Sequence, residues 1–196
     1  STPLYSSAAS DVYKRQLLSS SVDFYPTLSR NAYNLWYLFF ADPLNTSDQI
    51  SFLIPLKLWG IILFVLFYSF VIFLFLKSEK KAETTLLFVA LVSLGFFFFN
   101  TQMHERYAHA VVLFSGLYAI FSRRYLIFTF SALAYLLNLE AVMQMFSYFD
   151  DEVLGVVINY KSWIIFNPVF ISLLFLSAII IGIIDLFPRS NDKLHQ

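Results

Sequence analysis

The chain has 196 residues, no net formal charge and no cysteine. A balanced charge gives no indication of nucleic-acid binding, and the lack of cysteine excludes a disulfide, a thiolate nucleophile or a zinc–thiolate site. Soluble domains carry about 25% charged residues, whereas this chain has 13% and is 59% hydrophobic, with 24 Phe. Its apolar runs are long enough to cross about 30 Å of hydrocarbon. We therefore predict an all-α, multi-pass transmembrane helical bundle rather than a soluble protein with buried helices.

Residues 1–16 do not fit this description. The stretch SAASDVYKRQ (7–16) contains neither a signal-peptide core nor a membrane span. In one frame, DVYKRQ back-translates to GAT GTG TAT AAG AGA CAG, which resembles the adapter of a transposase-based sequencing library. We interpret residues 1–16 as a sequencing artefact rather than an ordinary polar tail. The natural protein is then expected to continue upstream of Leu17 with further N-terminal spans.

Residues 17–56 are predicted to be an extracytoplasmic, interfacial segment. Its apolar part, NAYNLWYLFFADP (31–43), has about a dozen largely apolar residues, which suits an interfacial or re-entrant helix better than a crossing. Trp36 is typical of the aromatic belt at the membrane surface. Pro43 and Pro55 break helices on either side of NTSDQ, which is predicted to be an exposed turn.

Five apolar stretches follow and are predicted to form the transmembrane bundle. These spans are residues 57–76, 85–101, 108–121, 125–146 and 163–187. The third is short, and its outer end is expected to begin within residues 104–107. Asn167-Pro168, inside the fifth, predicts a kink.

Cationic residues are concentrated in alternate connections: 77–83, 122–125 and the tail 188–196. Lysine and arginine in short loops remain in the cytoplasm, which predicts a cytoplasmic C terminus. The other connections, including the cluster 104–107 and the acidic loop 147–162, are then extracytoplasmic. That loop is predicted to be solvated rather than a cation site.

One polar cluster lies at the predicted outer interface: His104, Glu105, Arg106 and Tyr107. In one interpretation it is an interfacial anchor, with Arg106 reaching the headgroups and Glu105 neutralising it. In the other it binds an anionic headgroup, because a guanidinium and an imidazole donate hydrogen bonds to phosphate. Helical spacing would put His104 near Tyr107 and Glu105 near His109. These residues lack the spacing of a two-histidine metal motif, so no metal site is predicted.

Glu140, within the fourth span, is a possible substrate-binding residue, with Asn138 and Gln144 nearby. An acidic side chain at membrane depth is costly and marks a candidate functional site. A structural carboxylate, or one facing a water-filled cavity, is the alternative. Asp185, near the other end of the bundle, is predicted to be interfacial.

Three stretches, in this order, carry a family resemblance: SRNAYNLWYLF (29–39), PLKLWGIILF (55–64) and FFFNTQMHERYAHAVVLF (97–114). Together they resemble the integral-membrane GT-C glycosyltransferases, in particular the prokaryotic relatives of the second mannosyltransferase of GPI-anchor assembly. The resemblance covers residues 29–125, and the rest of the chain only as hydrophobic spans. The chain departs from the family at Ala108-His109-Ala110, where a more apolar, proline-containing continuation is expected.

The resemblance implies transfer of a sugar, often mannose, from a polyprenyl-phosphate donor outside a prokaryotic plasma membrane. It places the catalytic carboxylate in an early external loop, upstream of residue 17, so we expect no catalytic residue here and an inactive isolated chain. It implies no cofactor, and a need for a divalent metal stays open. The residues that match the family's motifs are His104, Glu105, Arg106 and Tyr107 at the donor phosphate, and Asn31, Asn34 and Trp36 as possible substrate-binding residues.

Other membrane proteins offer alternative interpretations. A lipid-linked polysaccharide polymerase or ligase typically has a large external loop rich in Arg and His, whereas the loop 147–162 is short and acidic. A transporter or flippase would have broken helices and charges at mid-membrane, for which Glu140 and Asn167-Pro168 are weak indications. No feature argues for a non-catalytic scaffold.

Overall fold

The computed structural model describes residues 26–145 and 163–187. The predicted artefact (1–16), the acidic loop (147–162) and the tail (188–196) lie outside the described residues. Within that part of the chain there are five α-helices: α1 Leu56–Lys77, α2 Ala82–Phe99, α3 His109–Ser122, α4 Leu126–Met143 and α5 Pro168–Leu186. They pack as a bundle in which α2 contacts α1, α3 and α5, and α4 contacts α3 and α5. The predicted all-α helical bundle is confirmed.

Four of these helices, α1, α2, α4 and α5, are long and apolar enough to cross a membrane. The predicted third span forms α3, but this helix has only 14 residues. At 1.5 Å per residue it is about 21 Å long, against about 30 Å of hydrocarbon. It is short because residues 105–108 form a separate 3-10 turn before it, and Arg123 ends it in the left-handed region with a φ of 60°.

The core lies around α2, whose apolar side chains pack against α5. Phe97 and Phe175 are both fully buried, with ring centroids 4.9 Å apart. Close approach of α5 requires Gly182, because a Cβ there would lie 2.7 Å from Leu91 Cδ2 and 2.8 Å from Ile127 Cδ1. Small residues at such contacts are typical of membrane helices, whose packing depends on close backbone approach.

The prediction of a kink at Asn167-Pro168 is wrong. Pro168 is the first residue of α5, and the side chain of Asn167 caps the helix by accepting hydrogen bonds from the backbone N–H groups of Val169 (2.9 Å) and Phe170 (3.4 Å). Ile164–Phe166 form a separate 3-10 turn. A proline in the first turn replaces an N–H that has no helical partner, so it starts a helix without distorting it.

The helix predicted within residues 31–43 is only a 3-10 turn, Leu35–Leu38. Asn34 caps this turn by accepting a hydrogen bond from the Trp36 backbone N–H, 3.3 Å. Trp36 is buried rather than placed in an interfacial belt. The turn begins no earlier because Asn34 has an extended backbone and Asn31 a left-handed one, with a φ of 64°, whereas helical residues have negative φ and ψ.

The described residues also include four short strands, none of them predicted: β1 Ser29–Arg30, β2 Ser51–Phe52, β3 Ile54–Pro55 and β4 Met103–His104. β2 and β3 form an antiparallel hairpin immediately before α1. β1 and β4 pair in parallel, with Ser29 opposite Met103 and Arg30 opposite His104. This second pair joins the segment before α1 to the connection between α2 and α3.

Asp185 is more than an interfacial charge. Its carboxylate accepts hydrogen bonds from Arg124 Nη1 and from the Tyr118 hydroxyl, each at 3.0 Å. These contacts join α5 to α3, through Tyr118, and to the connection between α3 and α4, through Arg124. The His104–Tyr107 cluster lies before α3 and Arg124 after it, so the two polar groups mark opposite ends of that helix.

Candidate functional site

The parallel strand pair brings two distant polar segments together. Arg30 lies opposite His104, and Asn31 also bridges to His104. Gln102, just before β4, donates its backbone N–H to the carbonyls of Thr27 (3.2 Å) and Leu28 (3.3 Å). Two of the three stretches that carry the family resemblance therefore lie side by side.

The His104–Tyr107 cluster has an extended residue followed by a tight turn. His104 ends β4, and Glu105–Ala108 form the 3-10 turn. His104 and Tyr107 lie close together as predicted, with ring centroids 5.6 Å apart in an edge-to-face arrangement. The helical face from which this was predicted is absent, because His104 has an extended backbone. His104 Nδ1 is 4.0 Å from Glu105 Oε2, and the Arg106 guanidinium lies 5.7 Å from the Tyr107 ring centroid.

His109 begins α3 and contacts the neighbouring helix α4. Its ring lies edge to face with Tyr135, at 5.2 Å between centroids. A hydrogen bond joins the Tyr135 hydroxyl to His109 Nδ1. This pair fixes the start of α3 against α4 next to the cluster. It was not predictable from local sequence, because Tyr135 lies in the middle of an apolar span.

The charges around His104 disfavour its protonated form. Burial lowers the pKa of His104 below its ordinary value of 6.5, and the positive charges of Arg106 and Arg30 lower this pKa further, while Glu105 partly opposes them. The positive charges of both guanidinium groups thus act on the His104 imidazole, and one quarter of the His104 side chain is exposed. Arg30 lies far from His104 in the sequence, and only the strand pairing brings the two together.

We expect the free energy of unfolding to fall as the pH drops from 7.5 to 5.5, with a part of that loss due to His104. Because the pKa of His104 is lowered in the folded protein, the unfolded chain binds more protons as the pH passes below 6.5, and acid favours unfolding. Chemical unfolding of the wild type and of His104→Gln at both pH values measures this share. Identical pH dependence in the two proteins would contradict it.

Asn138 of α4 holds the segment after β1 against the bundle. It is fully buried, its Oδ1 accepts a hydrogen bond from the Tyr33 backbone N–H (3.0 Å), and its Nδ2 donates to the Asn31 carbonyl (2.8 Å). Asn31 is a candidate substrate-binding residue, and the structure places its backbone at the strand pair. The proximity of Asn138 to Glu140 in the sequence did not predict this structural role of Asn138.

Two other candidate substrate-binding residues, Asn34 and Trp36, are buried. Asn34 Nδ2 donates to the carbonyls of Phe97 (3.3 Å) and Asn100 (3.1 Å), and Trp36 Nε1 donates to the same Asn100 carbonyl (3.2 Å). The hydroxyl of Ser172 donates to the Asn34 carbonyl, 2.9 Å. These contacts attach the segment that contains Asn34 and Trp36 to the end of α2 and to α5. Both side chains therefore have a structural role.

Glu140 lies inside the bundle near the end of α4, with only 5% of its surface exposed. Its carbonyl accepts a hydrogen bond from the backbone N–H of Gln144, 2.7 Å, where the chain turns left-handed and the helix ends. Burial at this level favours a structural carboxylate over one that faces a water-filled cavity.

Asp48 was predicted to lie in an exposed turn, and this was wrong. It is fully buried, and its Oδ2 accepts hydrogen bonds from Thr101 Oγ1 (3.0 Å) and Gln102 Nε2 (2.8 Å). The contact helps to hold Gln102, whose φ of 61° is left-handed, just before β4. Charge-assisted hydrogen bonds of this kind make the connection between α2 and α3 specific in shape.

Among the residues that the structure describes, no group of three or more His, Asp or Glu side chains could hold a metal ion. Comparison of the chain with protein-family models, with curated proteins and with solved structures gave no match. At the start of α3, the imidazole of His104 lies within the electrostatic influence of two guanidinium groups, those of Arg30 and Arg106.

Proposed function

We propose that this chain is the C-terminal part of a membrane glycosyltransferase, mannosyltransferase-like, that takes its sugar from a polyprenyl-phosphate donor. The observation that carries the proposal is the strand pairing of Arg30 with His104, which brings a second positive charge, besides that of Arg106, close enough to His104 to lower its pKa. In the proposed site His104, Arg30 and Arg106 hold the donor phosphate, while Glu105 orients the cations or accepts a sugar hydroxyl.

The physical chemistry of such a donor supports this arrangement. Its prenyl tail stays in the bilayer and its phosphate at the interface, so the receiving site needs cationic donors at the end of apolar helices. Arginine offers a planar fork that matches phosphate oxygens. The lipid phosphate is the leaving group, and a fixed guanidinium stabilises the charge that develops on its oxygens.

The distribution of charge supports an extracytoplasmic site in a prokaryotic inner or plasma membrane. Arg123 and Arg124 follow α3, at the end opposite the cluster. Lys77 ends α1, and Lys80 and Lys81 lie between α1 and α2. Positively charged short loops face the cytoplasm, so the cluster faces outwards and the C terminus inwards. Only 22% of α1 is buried among the described residues, and further spans of the same protein would pack on its exposed surface.

The alternative functions have less support. The transporter interpretation drew on a broken helix at Asn167-Pro168, but α5 begins at Pro168 and is continuous to Leu186. The interpretation as a lipid-linked polysaccharide polymerase or ligase rests on the general use of lipid-linked sugars and has no specific observation in its favour.

Sugar transfer by membranes that contain the protein, expressed from its natural gene, tests the proposal. With radiolabelled mannose on polyprenyl phosphate as donor, we expect label to appear in a product that control membranes do not make. Membranes that contain the protein and transfer no label from mannosyl, glucosyl or galactosyl donors would overturn the proposal.

A further inference from the structure

The hairpin before α1 presents an apolar tip to its surroundings. β2 (Ser51–Phe52) and β3 (Ile54–Pro55) pair with Phe52 opposite Ile54, which leaves Leu53 alone at the turn. Phe52 is 72% exposed and Leu53 90% exposed. Turns of this tightness in water are made by Gly, Asn or Asp, so two large apolar residues here are unusual for a hairpin that faces water.

Leu53 adopts an unfavourable backbone conformation to occupy the tip. Its φ is 69°, in the left-handed region that costs a non-glycine residue about 1–2 kcal/mol. Glycine would adopt this conformation without that cost. Because the Leu53 side chain is almost entirely exposed, it gains almost no packing against the described residues that would offset the strain. Its apolar surface is therefore available to a partner outside the described residues.

The hairpin lies level with the first turn of a membrane-length helix. Trp59 Nε1 donates a hydrogen bond to the Phe52 carbonyl, 3.0 Å, and Trp59 is about 4.5 Å along the axis from Leu56, where α1 begins. This hydrogen bond holds the hairpin against the first turn of α1. α1 is 22 residues long, about 33 Å, so its first turn coincides with the interfacial layer of the bilayer, where tryptophan is enriched.

We propose that the Phe52–Leu53 tip is embedded in the interfacial layer of the bilayer and anchors the segment before α1 to the membrane. The partner is the lipid itself: burial of the two side chains among acyl chains removes from water the apolar area that the fold leaves exposed. The anchor holds β1 and Arg30 at the membrane surface. This inference is independent of the sugar chemistry, because it rests only on the hairpin and α1.

Thiol accessibility tests this inference, and because this chain has no cysteine, each introduced cysteine is the only one in it. Leu53→Cys and, as the matched control, Asn45→Cys in an exposed loop of the same segment are placed in lipid nanodiscs. Each is then treated with a charged, membrane-impermeant methanethiosulfonate reagent. Both substitutions are on the surface and are expected to leave folding intact.

We expect Leu53→Cys to react on the order of tenfold more slowly than Asn45→Cys, since a thiol in apolar surroundings is less ionised and the reagent does not enter the lipid. In denaturant the two rates should become equal, which shows that the difference arises from the membrane-bound fold. Equal rates in nanodiscs, or a faster reaction of Leu53→Cys, would overturn the inference.

Discussion

Replacement of Asn138 by alanine is expected to lower the free energy of unfolding by about 2–6 kcal/mol. The side chain is fully buried and satisfies two backbone groups, the Tyr33 N–H and the Asn31 carbonyl. Each buried group left without a partner costs about 1–3 kcal/mol, and water does not reach an apolar bundle easily to replace the lost bonds. Chemical unfolding of the purified protein in detergent micelles, followed by tryptophan fluorescence, measures the change.

Asn45→Ala is the matched control for this prediction. Asn45 also bonds through its side-chain amide, to Asp42 Oδ2 at 2.8 Å, but in an exposed loop. Its loss should change the free energy of unfolding by less than about 0.5 kcal/mol, as is usual for surface positions. If the two variants lose the same stability, Asn138 does not hold the segment to α4 and the account of the site's framework is wrong.

Arg106→Ala and Arg30→Ala are each expected to lower the rate of sugar transfer about a hundredfold or more. Removal of one preorganised donor from a site where negative charge develops costs about this factor. Arg30→Ala should leave the fold intact, because the strand pair that positions it is made by backbone hydrogen bonds. Transfer of labelled sugar in membranes, normalised to the amount of inserted protein, measures both effects.

Two further variants separate charge from geometry. Lys80→Ala removes an exposed cation on the far side of the bundle and should leave transfer unchanged. Arg30→Lys keeps the charge but loses the planar fork, so an intermediate rate is expected if the fork contacts phosphate. Transfer at the wild-type rate in Arg106→Ala or Arg30→Ala would remove that residue from the mechanism.

The helices were predictable because their composition leaves few alternatives. α1, α2, α4 and α5 lie where long apolar runs were found, and a run long enough to span hydrocarbon is almost always a helix. The length of α3 was not predictable in the same way. It depends on a 3-10 turn at Glu105–Ala108 and on the left-handed backbone of Arg123, and hydropathy does not report either feature.

The start of α5 could have been predicted from the sequence. A proline inside an apolar run is compatible with a kink or with a helix start, and Asn167 immediately before it decides between them. Asparagine is a preferred N-cap residue and proline is common directly after the cap. The pair Asn167-Pro168 is therefore a signal for the start of a helix, and a prediction based on the length of the apolar run alone does not detect it.

The framework of the candidate site could not be derived from local patterns. A two-residue strand has no alternation of polar and apolar residues, and the partner of Arg30 is set by the path of the chain between β1 and β4. The burial of Asp48 and Asn138 also depends on distant contacts. Residue types alone identified His104, Glu105, Arg106 and Tyr107 as a polar cluster, but the neighbouring Arg30 required the fold.

The most direct test of the central claim is binding of a short polyprenyl phosphate to the protein in nanodiscs, compared with the polyprenol of the same length. If the cluster around His104 recognises the lipid phosphate, the polyprenyl phosphate will bind and the polyprenol will bind at least about tenfold more weakly, because charge-assisted hydrogen bonds to phosphate provide the discrimination. In Arg106→Ala this difference in affinity will be abolished. Equal binding of the two lipids by the wild type would contradict the claim and leave the cluster as an interfacial anchor.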